Sequence, residues 1–327
     1  MTNHFLSCDW GTSAFRLRLV AVEDRNVMAE AKSDEGIGRI FDLWQQSRNS
    51  SAERTSFYLE FVRRHINNIE EQIKQPLSGV PLIISGMASS SIGFVDIPYS
   101  SVPFSVDGDG IQTAFIAATK GFEHDIWIVS GLRTTDDVMR GEETQLIGLI
   151  EPGRQVKNEL FIFPGTHSKH ILVQRNKVVG FKTYMTGEVF ALLSQQSILK
   201  NAVEKDTIGE SDSDLQSFKK GVKEGNSSNL LNAMFKVRTN QLFDVYSKKE
   251  NYSYLSGLLI GAELKDLVNA NAEIINLVCG LDLAQYYQTA LLELLPGKTI
   301  EALSGKQADE ATVNGHYKIG KQLKIFA

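Results

Sequence analysis

The feature that most constrains this chain is that its second half opens as its first does. Residues 5–31 read FLSCDWGTSAFRLRLVAVEDRNVMAEA, and residues 160–183 read LFIFPGTHSKHILVQRNKVVGFKT. Each is an apolar strand, a short loop with Gly-Thr followed by Ser, a second strand, an Arg-Asn turn and a third strand. A duplicated unit at a separation of about 150 residues accounts for this; two β-meanders drawing on one turn vocabulary would read the same way. The duplication puts a boundary near Pro152-Gly153 and predicts two domains, 1–152 and 153–327, in line with the roughly 150 residues an average domain takes.

Around these repeats, strand-like runs alternate with longer helix-like ones, the pattern of an α/β protein. In the first half, strands are expected at 4–8, 15–22 and 27–32, a helix at 53–73 ended by Pro76, and a strand at 81–85. A Gly/Ser/Pro-rich loop at 85–103, a helix at 111–119 and a strand at 126–130 follow. Near the end, a strand at 274–278 leads through Cys279-Gly280 into a helix at 283–295. Hydrophobic residues make up 42% and charged residues 22%, a globular mixture that excludes disordered and collagen-like chains. The net charge of −5 gives no basic field for nucleic acid or an anionic membrane. Cys8 and Cys279 stand far apart without CxxC spacing, so neither a disulfide framework nor a thiolate zinc site is expected. The N-terminus reaches Asp9 before an apolar signal region could develop, and nowhere do about 18 apolar residues run together. The expectation is a soluble cytoplasmic protein.

The loop Asp9-Trp10-Gly11-Thr12-Ser13 joins two strands. A glycine there lets backbone N–H groups converge on an anion, hydroxyls add donors, and the carboxylate can hold a hydrated divalent cation. An ordinary polar hairpin turn is the plain alternative. Pro164-Gly165-Thr166-His167-Ser168-Lys169 repeats the donors and adds a cation, without the Asp. Two such loops suit a nucleoside triphosphate. Other phosphate signatures fail: Gly297-Lys298-Thr299 has Leu292 where a Walker loop needs Gly, and Gly36-Ile37-Gly38 and Gly108-Asp109-Gly110 read as turns. His167 and His170 should point to opposite faces of a strand, which argues against a metal pair. Met139-Arg140-Gly141-Glu142-Glu143 reads as a helix start, where acidic residues suit the dipole. A carboxylate placed there can also take a proton from an attacking hydroxyl, and Arg140 can pair with a carboxylate or a transferring phosphoryl group. Ser256 to Glu263 carries small residues four apart, the spacing of close helix packing.

Taken in order, DWGTS, GMASSSIGF, DVMRGEETQLIG, FPGTHSK, TYMTGEVFALL and SGLLIGAE resemble the 2-dehydro-3-deoxygalactonokinases of the sugar kinase/Hsp70/actin superfamily over nearly the whole chain. The resemblance implies an α/β, two-lobed ribonuclease H-like (actin-like ATPase) fold, a duplicated domain with a central mixed sheet in each lobe. It also implies ATP in the cleft and Mg²⁺-dependent phosphorylation of the 6-hydroxyl of 2-dehydro-3-deoxy-D-galactonate, in galactonate catabolism. On the matching positions, Asp9, Gly11, Thr12 and Ser13 form the first phosphate loop, with Asp9 meeting Mg²⁺ through water. Gly165, Thr166, His167, Ser168 and Lys169 form the second, and Gly280 lies on the adenine side. Arg16, Gly86, Met87 and Ser90 fall on the sugar-acid side, and Arg140, Glu142 and Glu143 are the catalytic set, with Glu143 preferred as base. In the GMASSSIGF loop, Ser89 and Phe94 stand where the family usually has Gly and Trp, and His170 stands where it commonly has an aromatic. The expected partners are a small sugar acid and ATP, with no nucleic acid and no membrane, and a homodimer left open. A phosphohydrolase of the same superfamily and a non-catalytic sugar-acid sensor are the rival readings; a filament-forming relative ranks below them.

Overall fold

The computed structural model describes residues 3–47, 54–151, 153–205, 211–269 and 271–326. Pro152, at the expected boundary, and Glu53, at the expected start of the long helix, lie outside them. The chain divides into two compact units. Unit 1 is Met1–Gln155, Asn176–Val179 and Asp309–Ala327, and unit 2 is Val156–Arg175 and Gly180–Ala308.

Unit 1 begins with β1 (His4–Trp10), β2 (Phe15–Ala21) and β3 (Val27–Ser33), followed by α1 (Ile37–Gln46) and α2 (Arg54–Ile73). Then come β4 (Leu82–Gly86), the short β5 (Ser100–Ser101) and β6 (Phe104–Ser105), β7 (Thr113–Ile116), β8 (Ile126–Val129), the short β9 (Leu132–Arg133) and β10 (Val138–Met139), and α3 (Glu142–Leu149). The main sheet runs β3-β2-β1-β4-β8-β7. β1 is central, antiparallel to β2 and parallel to β4. Its residues Phe5, Leu6, Cys8 and Trp10 are all buried, as a strand covered on both faces requires. α2 buries Tyr58, Phe61, Val62, Ile66 and Ile69, an apolar stripe at helical spacing. Trp10 is the centre of an aromatic cluster, stacked on Phe61 with centroids 5.1 Å apart and meeting Phe15, Tyr58 and Phe94 edge-on.

The helix expected at 111–119 is not there. Thr113–Ile116 is an edge strand antiparallel to β8, with Phe115 tilted over Trp127 across the pair. β-Branched and aromatic residues beside an available strand favour pairing, and the cross-strand partner lies too far along the chain for local periodicity to reveal it.

Unit 2 contains β11 (Asn158–Phe163), β12 (Ser168–Gln174), β13 (Lys177–Tyr184, entered from unit 1), α4 (Thr186–Gln195), α5 (Asp212–Ser227), α6 (Leu230–Leu242) and α7 (Lys248–Glu263). β14 (Ile274–Leu277), α8 (Leu281–Leu294), β15 (Thr299–Ala302) and α9 (Gly305–Gln322) complete the chain. α9 starts in unit 2 and passes into unit 1 at Asp309. There His316 Nδ1 lies 2.8 Å from the Ser7 hydroxyl, and Phe326, beyond the helix, stacks on Phe5. The two-domain division read from the sequence had kept this C-terminal segment with the second half.

In unit 2 the strands run β13-β12-β11-β14-β15, with β11 antiparallel to β12 and parallel to β14, and β14 parallel to β15. The order matches β3-β2-β1-β4-β8 of unit 1, and so do the directions of β11 against β12 and β14 and of β14 against β15. The fold is therefore the ribonuclease H-like α/β unit, present twice. α5 and α7 cross at very short range: a Cβ on Gly257 or Gly261 would lie 2.2 Å from the carbonyl oxygen of Phe218 or Val222. The small residues of the Ser256–Glu263 stretch thus serve close packing, as their spacing predicts. A capping box between Ser247 and Glu250 starts α7.

Candidate active site

In unit 1, Gly11 closes the first loop by donating its N–H to the Ala14 carbonyl at 2.9 Å. Thr12 and Ser13 face solvent. The loop is held from behind by the start of α1. Ile37 N donates to Gly11 O at 3.0 Å, Gly38 N donates to Thr12 O at 3.2 Å, and a Cβ at Gly36 would sit 2.2 Å from Thr12 O. The Gly36-Ile37-Gly38 segment, read from sequence as a turn, is therefore the brace of the loop. Asp9 is half-buried at the end of β1; burial raises its carboxyl pKa, while Arg16 and Arg18 pull it down. Arg16 lies opposite Asp9 in register and is itself engaged by Asp309 at 2.6 Å and Glu30 at 3.4 Å.

β4 brings a second group to the same end of the sheet, because Gly86 pairs with Trp10. Gly86 has φ +88°, and a Cβ there would meet the Trp10 carbonyl oxygen at 2.6 Å, so the position demands glycine. Met87 is half-buried, and Ser90 is buried with its hydroxyl donated to Met87 O at 2.7 Å. Arg140 reaches into this loop. It donates to Ser89 Oγ at 2.6 Å and Ile97 O at 3.2 Å, and its guanidinium lies 3.9 Å from the centre of the Tyr99 ring. Only 5% of the side chain is exposed. Its Nη2 also lies 3.5 Å from the exposed Asp96 carboxylate, and Ser89, one of the departures from the family pattern, is its shortest acceptor.

Gly141, whose Cβ would lie 3.6 Å from Gly86 Cα, delivers the start of α3 to the same place. Glu143 is buried, and both of its oxygens accept from Gly141 N, at 2.9 and 2.8 Å, while Thr144 Oγ1 donates at 3.0 Å. Burial, then the neighbouring charge of Glu142, pushes the Glu143 carboxyl up to about 8. Glu142 is half-buried in the same turn. Unit 1 thus gathers Asp9, the Thr12-Ser13 hydroxyls, Gly86 to Ser90 and the acidic pair.

Unit 2 repeats the loop and its brace. Thr166 and His167 face solvent, His167 Nε2 meeting Glu188 at 2.5 Å, and Glu188 N donates to Thr166 O at 3.1 Å. A Cβ at Gly187 would lie 2.5 Å from Gly165 O, the counterpart of Gly36. Ser168 and Lys169 are buried. The Lys169 ammonium lies 3.5 Å from His167 O, and the Ser168 hydroxyl is donated to Glu263 at 2.7 Å. Gly280 is the residue before α8, with open space on its Cβ side. A cavity of about 410 Å³ in the same unit includes Gly165, Thr186, Asp282, Tyr252, Tyr286 and Tyr287 in its lining, and Gly280 is not part of that lining. Sequence reading found the loops but not the aromatic wall. Its tyrosines lie on α7 and α8, and only the Thr-Gly of TYMTGEVFALL hinted at the brace.

Comparison with known proteins decides the family. The family model for 2-keto-3-deoxy-galactonokinase matches residues 9–319. The chain belongs to the 2-keto-3-deoxy-galactonokinase family. It is 29% identical over 321 residues to the 2-dehydro-3-deoxygalactonokinase of Escherichia coli (strain K12), covering 96% of this chain and 97% of the relative. A protein of Rhizobium meliloti (strain 1021), named a probable 2-dehydro-3-deoxygalactonokinase, is 31% identical over 94% of each chain. A crystal structure from Sinorhizobium meliloti, described as a 2-dehydro-3-deoxygalactonokinase protein, superposes with a TM-score of 0.80 at 30% identity, covering 99% of this chain and 98% of that one. The resemblance read from the six motifs is borne out, and with it the assignment as a phosphotransferase with an alcohol acceptor. No helix of the described residues is long and apolar enough to cross a membrane.

Proposed function

We propose that this kinase transfers the γ-phosphoryl group of Mg²⁺-ATP to the 6-hydroxyl of 2-dehydro-3-deoxy-D-galactonate, with the nucleoside held by unit 2 and the acceptor by unit 1. The observation that carries the reading is the unit 2 cavity, where a phosphate-loop glycine, Gly165, shares one space with Tyr252, Tyr286 and Tyr287. Its size and apolar aromatic wall suit a nucleoside, for which pockets of roughly 300–1,000 Å³ are usual. On the acceptor side, Thr12 and Ser13 offer exposed hydroxyls, and Glu143 or Glu142 is the group able to take the hydroxyl proton. Arg140 fixes the loop Gly86 to Ser90 that would shape the sugar-acid side.

Asp9 fits the role of a magnesium-bearing residue. It is a single half-buried carboxylate beside exposed hydroxyls, and among the described residues no three His, Cys, Asp or Glu gather into a metal cage. Mg²⁺ is typically held in this way, by one or two carboxylates together with substrate phosphates and water. When bound it neutralises phosphate charge. The remaining work falls to the protein: the loops orient the phosphates, and the acidic pair handles the proton.

A coupled ADP-release assay with Mg²⁺-ATP, comparing 2-dehydro-3-deoxygalactonate, its gluconate epimer and no sugar, tests the reading. Release with the galacto acid alone is expected. Phosphate release without any sugar would favour a phosphohydrolase, and silence in all three arms would overturn the substrate assignment.

A further inference from the structure

Glu263 is the last residue of α7 and is buried, with 3% of the residue exposed. A carboxylate at a helix C-terminus faces the negative end of the dipole, so the position is unfavourable unless donors compensate. Four do, two from β12 and one each from α4 and α8. Oε1 accepts from Ser168 Oγ at 2.7 Å and from His170 Nε2 at 2.8 Å. Oε2 accepts from Tyr287 OH at 2.7 Å and from Thr186 Oγ1. A carboxylate has about four lone-pair sites, and here all four are used. Burial by itself would raise the Glu263 carboxyl; the bond and charge of His170, with the Thr186 and Ser168 hydroxyls, hold it below the usual range.

The four donors are not scattered. Ser168 ends the second phosphate loop, Thr186 opens the helix that braces that loop, and Tyr287 stands in the wall of the aromatic cavity, which Thr186 also lines. One buried carboxylate therefore sets the relative positions of the loop, its brace and the cavity wall. It also fixes proton direction. With their protons turned inward to Glu263, Thr186 and Tyr287 can offer a ligand only lone pairs.

We propose that Glu263 is a positioning residue for the nucleotide, aligning the second phosphate loop with the nucleoside cavity through Ser168, Thr186 and Tyr287. The inference rests on the assignment of that cavity to the nucleoside. Glu263→Gln keeps the shape but removes the charge and forces one amide N–H₂ group among the donors. Because hydrogen bonds to charged groups are the stronger class, it should raise the Kd and KM for ATP about tenfold or more, with the KM for the sugar acid changed less than about twofold. Thr186→Val should weaken ATP binding several-fold, and Thr186→Ser, which restores the hydroxyl, should recover most of that loss.

Calorimetric titration of ATP into the full-length chain, together with both KM values and the melting temperature, reads these effects. ATP binding and KM within twofold of wild type in Glu263→Gln would overturn the proposal. So would equal rises in both KM values that merely track lost stability. If Glu263→Gln fails to fold, Thr186→Val and Tyr287→Phe decide, since each leaves the carboxylate three donors; unchanged ATP affinity in both would overturn it. A wild-type chain that binds no ATP would instead overturn the nucleoside assignment itself, whatever the variants do.

Discussion

Glu143 and Glu263 are both buried carboxyls, yet their surroundings drive them in opposite directions. Glu143 accepts three hydrogen bonds, and burial with the charge of Glu142 lifts it to about 8. A base of that kind is ionised only as the pH rises through about 8. With Glu143 as the base, kcat should climb over that range, and Glu143→Gln should lower it by about 10²–10⁴-fold and flatten the profile. A limb that stays in the ordinary carboxylate range would move the role to Glu142. The same proton affects stability. Between pH 4.5 and about 8 the folded chain keeps a proton that the unfolded chain has released, so this group's contribution falls as pH rises through that window. Asp9→Asn should abolish Mg²⁺-dependent ADP release, and near-normal turnover would remove Asp9 from the mechanism. Asp9, Glu142 and Glu143 stand out in the sequence as candidates because acids beside Gly-Thr-Ser and Arg-Gly motifs carry local meaning. The protonation of Glu143 was not, because it depends on desolvation by residues far along the chain.

At the scale of elements, each Gly-Thr loop is held by the helix that follows its meander, and each brace has a glycine at the point of contact. A methyl group on Gly187 would have to displace the backbone of Gly165 and Thr166, and overpacking of this kind typically costs about 1–3 kcal/mol. Gly187→Ala should therefore lower the melting temperature and raise the KM for ATP more than that for the sugar acid. Equal effects on both substrates would sever the link between this brace and the nucleotide. The loops themselves were readable as strand-loop-strand patterns. Their braces were not: Gly36-Ile37-Gly38 reads as a turn and Thr186-Gly187 as an ordinary helix start, because the opposing carbonyls of Thr12 and Gly165 are over twenty residues away in sequence. The strand at Thr113–Ile116 escaped for a related reason, since an edge strand is defined by its neighbour β8.

For the whole molecule, the matching strand order of the two units gives the repeated sequence pattern its structural meaning, and α9 ends the chain in unit 1. Burial holds His316 on that helix down at about 3, against 6.5 when solvated. As pH falls from 6.5 towards 3, the unfolded chain takes up a proton the folded chain refuses, so stability is lost across that window. Thermal melts should show a shallower acid decline for His316→Gln than for wild type; parallel declines would exclude His316 as a source. By itself the sequence determined the two strand-loop-strand repeats and the family, because alternation, glycine turns and ordered motifs are properties of neighbouring residues. Tertiary structure alone decided that Arg140 reaches Ser89 and Ile97, that Ser168 turns inward to Glu263, that tyrosines from α7 and α8 wall one cavity, and that the last helix passes into the first unit at Asp309. Burial, desolvation and hydrogen-bond satisfaction are set by residues brought together from distant parts of the chain, and no local pattern carries them.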